Sequence, residues 1–249
     1  MGRGKEPDKH YASNAANTVT MPAAPGFETD LYTSEAYAEG AGTVLFRLAT
    51  REVCVLRPRG PKSQGRDEHV VLPGWGRRRV GEAPADTALR EITEETGFSC
   101  RLLPVNLSSR ALPPSGSGSG EDALGREPEP EIGGTHLHKG VCEPVGLQLR
   151  RGAAAARAAA AQLELVWWFV AAVNEGEPRG RRRHEGKAAN GKDKPKEGLE
   201  VDFLSYEDAL QALASPDDRA LVEKTMAVVN ATQISQKSRA STICFGRPG

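Results

Sequence analysis

Aromatic residues make up only 5% of this chain, and the hydrophobic total is 38%. Such a balance excludes a chain that is core throughout. It suits one compact domain carrying polar insertions. Net charge is lacking too, because 33 Lys and Arg offset 33 Asp and Glu. Global charge therefore does not point to nucleic acid or an anionic membrane surface. No apolar run approaches the roughly 20 residues that a membrane helix needs, and the first residues lack the apolar core of a signal peptide. They do not read as a mitochondrial presequence either, since Glu6 and Asp8 come early and arginine is sparse there. The four cysteines, Cys54, Cys100, Cys142 and Cys244, form no close pair. That fits reduced thiols inside a cell better than a disulfide frame. Cytoplasm or nucleus is the default location. The sequence has no internal repeat.

The chain of 249 residues does contain one dense stretch, 76–98, reading GRRRVGEAPADTALREITEETGF. Pro84 suits the first turn of a helix, where its missing N–H goes unused and its φ is already helical. Gly97 suits the left-handed position just past a helix end. Between them Ala85, Ala88, Leu89 and Ile92 recur at three- and four-residue spacing, one apolar stripe. Glu91, Glu94 and Glu95 stand at i, i+3 and i+4 on a separate face. Like charges so spaced cost roughly 0.2–0.5 kcal/mol per pair, and the helix C-terminus disfavours anions. Arg90 screens part of the cluster by reaching Glu94. A hard divalent cation does more, and Mg²⁺ takes oxygen ligands while keeping waters for phosphates. For three glutamates alone, a solvated acidic face is the better reading. The full spacing, with Gly76, Glu82 and Arg90, points elsewhere.

That spacing resembles the box of the Nudix hydrolase family: G, five residues, E, seven residues, then R-E-U-x-E-E-x-G-U, with U a bulky apolar residue. Gly76, Glu82, Arg90, Glu91, Ile92, Glu94, Glu95, Gly97 and Phe98 fall in register. Phe98 departs mildly from the usual aliphatic residue. The resemblance implies an α/β (α+β) fold, a Nudix-type α/β/α sandwich with a mixed β-sheet. It implies that Glu91, Glu94, Glu95 and Glu82 serve the metal site, Mg²⁺ or Mn²⁺. Glu91 or Glu94 is the stronger candidate for activating water, and Arg90 orients the glutamates. Gly76 and Gly97 shape the backbone. Many members add a glutamate before the last strand, and Glu197 and Glu200 occupy that neighbourhood; Glu175 and Glu177 are outsiders. Many members also carry Leu-Pro one residue before the first box glycine. Here Gly74 and Trp75 both stand between Leu72-Pro73 and Gly76, one residue more, which bears on the phosphate-side loop.

Arg77, Arg78 and Arg79 lie in the box loop. They are either solvated or meet extra phosphates of a polyphosphorylated substrate, since guanidinium forks match phosphate oxygens. Elsewhere, 41–48 and 52–57 read as two strands joined by a tight turn, and 68–72 as a short strand. Strands are also expected at 99–105, 140–149 and 199–204. The run 163–173, LELVWWFVAAV, reads as a central strand buried on both faces. Trp167 and Trp168 point to opposite faces, so one at most lines a pocket, and core packing suits both. Residues 151–162 are alanine-rich. His136, His138 and Cys142 lack the second ligand pair of a zinc site and read as loop or strand edge. Helices are expected at 206–214 and 216–229.

The organisation is thus a flexible leader over 1–35, a Nudix-type domain over 36–229 with polar insertions near 106–135 and 174–197, and a loose tail over 230–249. The expected function is divalent-metal-dependent hydrolysis of a diphosphate linkage in a nucleoside diphosphate-X or polyphosphate metabolite. Diadenosine polyphosphates or diphosphoinositol polyphosphates are weakly favoured by the arginine loop. One alternative is a non-catalytic nucleotide sensor, against which the intact glutamates argue. Another is an RNA-associated module using the arginine runs at 77–79 and 181–183, which the neutral charge disfavours. The partner is a small molecule, not a membrane.

Overall fold

The computed structural model describes residues 18–20, 30–58, 69–111, 134–151, 163–180 and 199–244, with side chains up to 236 from residue 30. Its centre is a mixed sheet of seven strands. Strand β3 (Tyr37–Arg47) turns into β4 (Glu52–Pro58), with Arg51 in the left-handed region at φ 58°. Strand β10 (Leu163–Val173) runs parallel to β3 along ten residue pairs, from Leu163 beside Tyr37 to Ala172 beside Phe46. Its other side is shared by β9 (Gly146–Arg151) and β6 (Cys100–Leu102), both antiparallel. Strand β11 (Leu199–Ser205) closes the far edge against β4, and the two-residue β5 (Gly76–Arg77) pairs with β3.

Alternation along β3 and β4 sends side chains to both faces. Val44, Phe46, Val53 and Val55 pack with helices α2 (Tyr206–Ala212) and α3 (Pro216–Cys244) through Tyr206, Ala209, Val222 and Val229, and with Leu213 just past the end of α2. Phe46 and Tyr206 meet edge to face at 5.7 Å. Leu45, Cys54, Ala171 and Val173 point the other way, onto Ile92 of α1 (Pro84–Thr96). Each fully buried Val, Leu, Ile or Phe contributes about 1.5–3 kcal/mol. A mixed sheet covered on both faces by helices is the α/β/α sandwich expected.

The feature that positions the site is a splay between β3 and β4. They pair beside their turn, at Phe46–Val53 and Arg47–Glu52. Beyond that, residues 69–77 lie between them. Val71 bonds Leu56 of β4, and Gly76 and Arg77 pair with Ala41 and Gly40 of β3. The loop that precedes α1 is therefore stitched into the sheet on both sides.

Several elements differ from expectation. The strand expected at 99–105 divides into β6 and β7 (Val105–Ser109), with Pro104, which has no N–H to donate, between them. The strand at 140–149 likewise divides, around Pro144, into β8 (His136–Val141) and β9; β8 pairs with β7 in a separate ribbon. Of the strand expected at 68–72, the described residues 69–72 supply single bridges at Val70 and Val71. Within the expected leader, β1 (Thr18–Thr20) pairs with β2 (Asp30–Tyr32). Among the described residues beyond 229, α3 continues to Cys244, and Thr232 is buried, its hydroxyl accepting from Asn106 N at 2.8 Å. Most of the alanine-rich stretch (152–162), residues 112–133, the arginines 181–183 and Glu197 lie outside the described residues.

Candidate active site on helix α1

Helix α1 begins with Pro84 in its first turn and ends at Gly97, whose φ of 75° lets its N–H bond Thr93 O at 2.8 Å. Its apolar face, Ala88 and Ile92, is fully buried on the sheet. That orientation turns Glu91 and Glu95 towards the 74–76 loop, where both are buried. Gly74 N–H donates to Glu95 Oε2, and Gly76 backs directly onto Glu91. A Cβ at Gly76 would lie 1.9 Å from Glu91 Cδ, so only glycine allows this approach.

Arg90 is the hub. Its Nε donates to Glu82 Oε1 at 2.7 Å and its Nη2 to Glu82 Oε2 at 2.9 Å. Nη1 donates to Glu91 Oε1 and lies 3.7 Å from Glu94 Oε2, while Nη2 also reaches Arg77 O at 3.2 Å. The guanidinium thus fixes two glutamates of the cluster and the loop backbone together. Glu82 also accepts from Arg79 N at 3.0 Å and Thr87 Oγ1 at 2.9 Å. Those donors, Arg90 first, hold the Glu82 carboxyl at about 2, and the pairing raises Arg90 in turn. Glu82 is therefore committed as the anchor of Arg90 and a brace for the start of α1.

The three loop arginines each meet a carboxylate. Arg77 pairs with Glu164 at 3.2 Å, Arg78 with Glu39 at 2.7 Å and Arg79 with Glu94 at 3.5 Å. Arg77 and Arg79 are exposed, so water competes for their pairs and phosphate oxygens can replace them. Glu39 also accepts from Trp167 Nε1 at 2.8 Å. Sequence reasoning missed Glu39 and Glu164, because the β3–β10 register that brings them to the loop spans over a hundred residues.

Glu200 does not join this group. It lies exposed on β11, beside Arg57, on the α2–α3 side of the sheet, whereas its neighbours Val201 and Phe203 face α1. Glu175 accepts from Ala49 N at 3.2 Å, beyond the C-terminal end of β10. His138 Nε2 lies 3.0 Å from Ala111 O, and Cys142 is exposed.

Glu91, Glu94 and Glu95 offer hard oxygens and three negative charges on just over one helical turn, against the Arg90 and Arg79 cations. That chemistry fits a hard divalent cation. Among the described residues, no three His, Cys, Asp or Glu side chains stand as a ready-made cage. No described helix is long and apolar enough to cross a membrane.

No protein-family model and no curated protein matches the chain. Solved structures similar to it include a Nudix hydrolase from Nitrosomonas europaea, at 12% identity over 77% of this chain and 89% of that one, with a TM-score of 0.42. A C. elegans Ap4A hydrolase in a binary complex matches at 16% identity over 76% and 96%, TM-score 0.42. The E. coli dihydroneopterin triphosphate pyrophosphohydrolase matches at 15% identity over 78% and 99%, TM-score 0.40.

Proposed function

We propose that this chain is a Nudix-type hydrolase that cleaves a diphosphate linkage in a small molecule, with Mg²⁺ or Mn²⁺ bound by Glu91, Glu94 and Glu95. The observation that carries this reading is the convergence of the 76–98 motif: Gly76 lies against Glu91, and Arg90 ties Glu82, Glu91 and Glu94 together. A cation bound there neutralises phosphate oxygens and lowers the pKa of an attacking water. Water oxygen bonds to one phosphorus while Glu91 or Glu94 takes one of its protons; the bond from that phosphorus to the bridging oxygen breaks, and that oxygen leaves on the second phosphate. Arg90 holds the carboxylates in place throughout, and the Glu95–Gly74 contact fixes the loop that faces the phosphates.

Exposed Arg77 and Arg79 extend this site towards further phosphates, which favours a polyphosphate substrate such as a diadenosine polyphosphate or a diphosphoinositol polyphosphate. The test is product release from a panel of diphosphate compounds, with Mg²⁺, with Mn²⁺ and with chelator. ADP-ribose, diadenosine tetraphosphate, a diphosphoinositol phosphate, oxidised dGTP and capped RNA make up the panel. Turnover that requires metal supports the hydrolase. Tight binding of one compound without turnover moves the assignment to a nucleotide sensor. Alanine at 77, 78 and 79 together should reduce turnover of the polyphosphates most; an equal loss on every compound removes the arginines from specificity.

A further inference from the structure

Helix α1 ends against its own electrostatics. Its last turn has no basic residue, yet Glu94 and Glu95 stand in it. Anions there oppose the helix dipole, and the terminal carbonyls need donors. Locally, Thr96 Oγ1 donates to Ile92 O at 2.6 Å and Gly97 N–H to Thr93 O at 2.8 Å. The carbonyls of Thr96 and Gly97 are satisfied from far along the chain. Arg179 Nε donates to Thr96 O at 2.9 Å, and Gly180 N–H donates to Gly97 O at 2.7 Å.

A short turn after β10 carries them there. Asn174 N–H donates to Ser99 O at 2.9 Å and its Nδ2 to Ser99 Oγ at 2.9 Å, while Arg101 Nη1 donates to Asn174 Oδ1 at 3.0 Å. Gly176, at φ 94°, then turns the chain back towards α1. The Arg179 guanidinium lies 4.9 Å from the centre of the Phe98 ring. Arg47 lies 6.0 Å from the same ring and 3.7 Å from that of Phe203, which meets Phe98 edge to face at 5.4 Å. Two guanidinium groups thus gather on the aromatic residues at the end of α1. An aliphatic residue at 98, the usual one in the motif, offers no such face.

We infer that Arg179 is a positioning residue for the cation site: with Phe98 as its platform, it holds the last turn of α1 and through it the carboxylates of Glu94 and Glu95. This rests on the hydrolase reading and deepens it. The link is the backbone. Thr96, whose carbonyl Arg179 holds, directly follows Glu95, whose Oε2 accepts from Gly74 N–H. Arg90 fixes the cluster from one side, by way of Glu82 and Glu91, and Arg179 fixes it from the other. Loss of Arg179 frees the Thr96 carbonyl and loosens the last turn. The oxygens of Glu94 and Glu95 then meet a cation in more than one arrangement, and its binding weakens.

The test is Mn²⁺ binding to the full chain, read by the electron paramagnetic resonance of free Mn²⁺. Wild type is compared with Arg179→Ala, Arg179→Lys, Phe98→Leu and the double variant of Phe98→Leu with Arg179→Ala. Hydrogen exchange of the Gly97 amide, in chelator, reads the helix end without any cation. In Arg179→Ala, at an exposed position, Mn²⁺ affinity should fall about fivefold and Gly97 exchange should quicken by a similar factor, at a Tm within a few degrees of wild type. Arg179→Lys keeps the charge and should stay within about twofold of wild type. Phe98→Leu should weaken Mn²⁺ about two- to threefold, and the double variant should lose no more than Arg179→Ala alone, since the ring acts through the guanidinium. Unchanged Mn²⁺ affinity in Arg179→Ala, losses that add in the double variant, or a loss matched by a collapse of Tm overturns the proposal and leaves the hydrolase standing. Wild type that binds no Mn²⁺ removes the hydrolase reading itself, and Arg179 then positions nothing.

Discussion

The two faces of the central sheet solve different problems with the same loop between them. The α1 face gathers charge: Glu82, Arg90, Glu91, Glu94 and Glu95 come from fourteen consecutive residues, 82–95. The α3 face gathers apolar surface from β3, β4, β10, α2 and α3, with Leu213 and Val222 fully buried. Charge on the first face is tolerated because a single arginine satisfies several carboxylates at once. The two faces thus divide the work: the larger apolar cluster lies on the second face, and the charged cluster on the α1 face.

The largest expected effect separates those roles. Leu213→Ala should lower stability by about 3 kcal/mol, read by urea unfolding, while turnover per folded molecule stays close to wild type. Gly76→Ala should do the reverse. Its Cβ must push Glu91 aside, so turnover should fall about 10²-fold with a smaller change in stability. If Gly76→Ala costs stability but not turnover, the loop serves the fold alone.

Acid should strike the α1 face. The Glu82 carboxyl sits at about 2, against an ordinary 4.5. Its folded-state value is the lower one. The stability it contributes is therefore complete above pH 4.5 and lost as pH falls from there towards 2. Unfolding free energies at pH 6, 4 and 3 should fall less steeply in Glu82→Gln than in wild type; parallel slopes would remove Glu82 from the acid response. The smallest effect belongs to the loop arginines. Arg77→Ala removes an exposed ion pair with Glu164 and should change stability by no more than about 0.5 kcal/mol.

Legibility in the sequence follows the same divide. Pro84, Gly97 and the stripe of Ala88 and Ile92 specify α1 locally, and one helix's geometry then fixes where Glu91, Glu94 and Glu95 point. Arg90 finds Glu82 eight residues away. Those features needed no knowledge of the rest of the chain. The core strand 163–173 was equally readable, from its length and apolar content. What stayed hidden depends on distant register. Glu39 reaches Arg78 because β3 lies beside both β5 and β10. The cleft of about 390 Å³ lined by Gln148, Trp168 and Asp217 needs β9, β10 and α3 together. Glu200 sits in the right neighbourhood of sequence, yet strand alternation sends it to the face away from α1. The contact of Thr232 with Asn106 was hidden for the same reason, because it joins residues 126 apart. The longer spacing made by Gly74 and Trp75 was visible in the sequence; the packing of Trp75 on β3 was not.

The most direct test of the central claim is turnover of the preferred diphosphate compound at saturating Mg²⁺ in Glu94→Gln, with thermal melting measured on the same sample. Glu94 is only part-buried, so the substitution should leave the melting temperature within a few degrees of wild type. The account predicts that kcat nonetheless falls at least about 10²-fold, since a charged oxygen at the cation site is lost. Wild-type kcat in that variant would contradict it and place the chemistry away from helix α1.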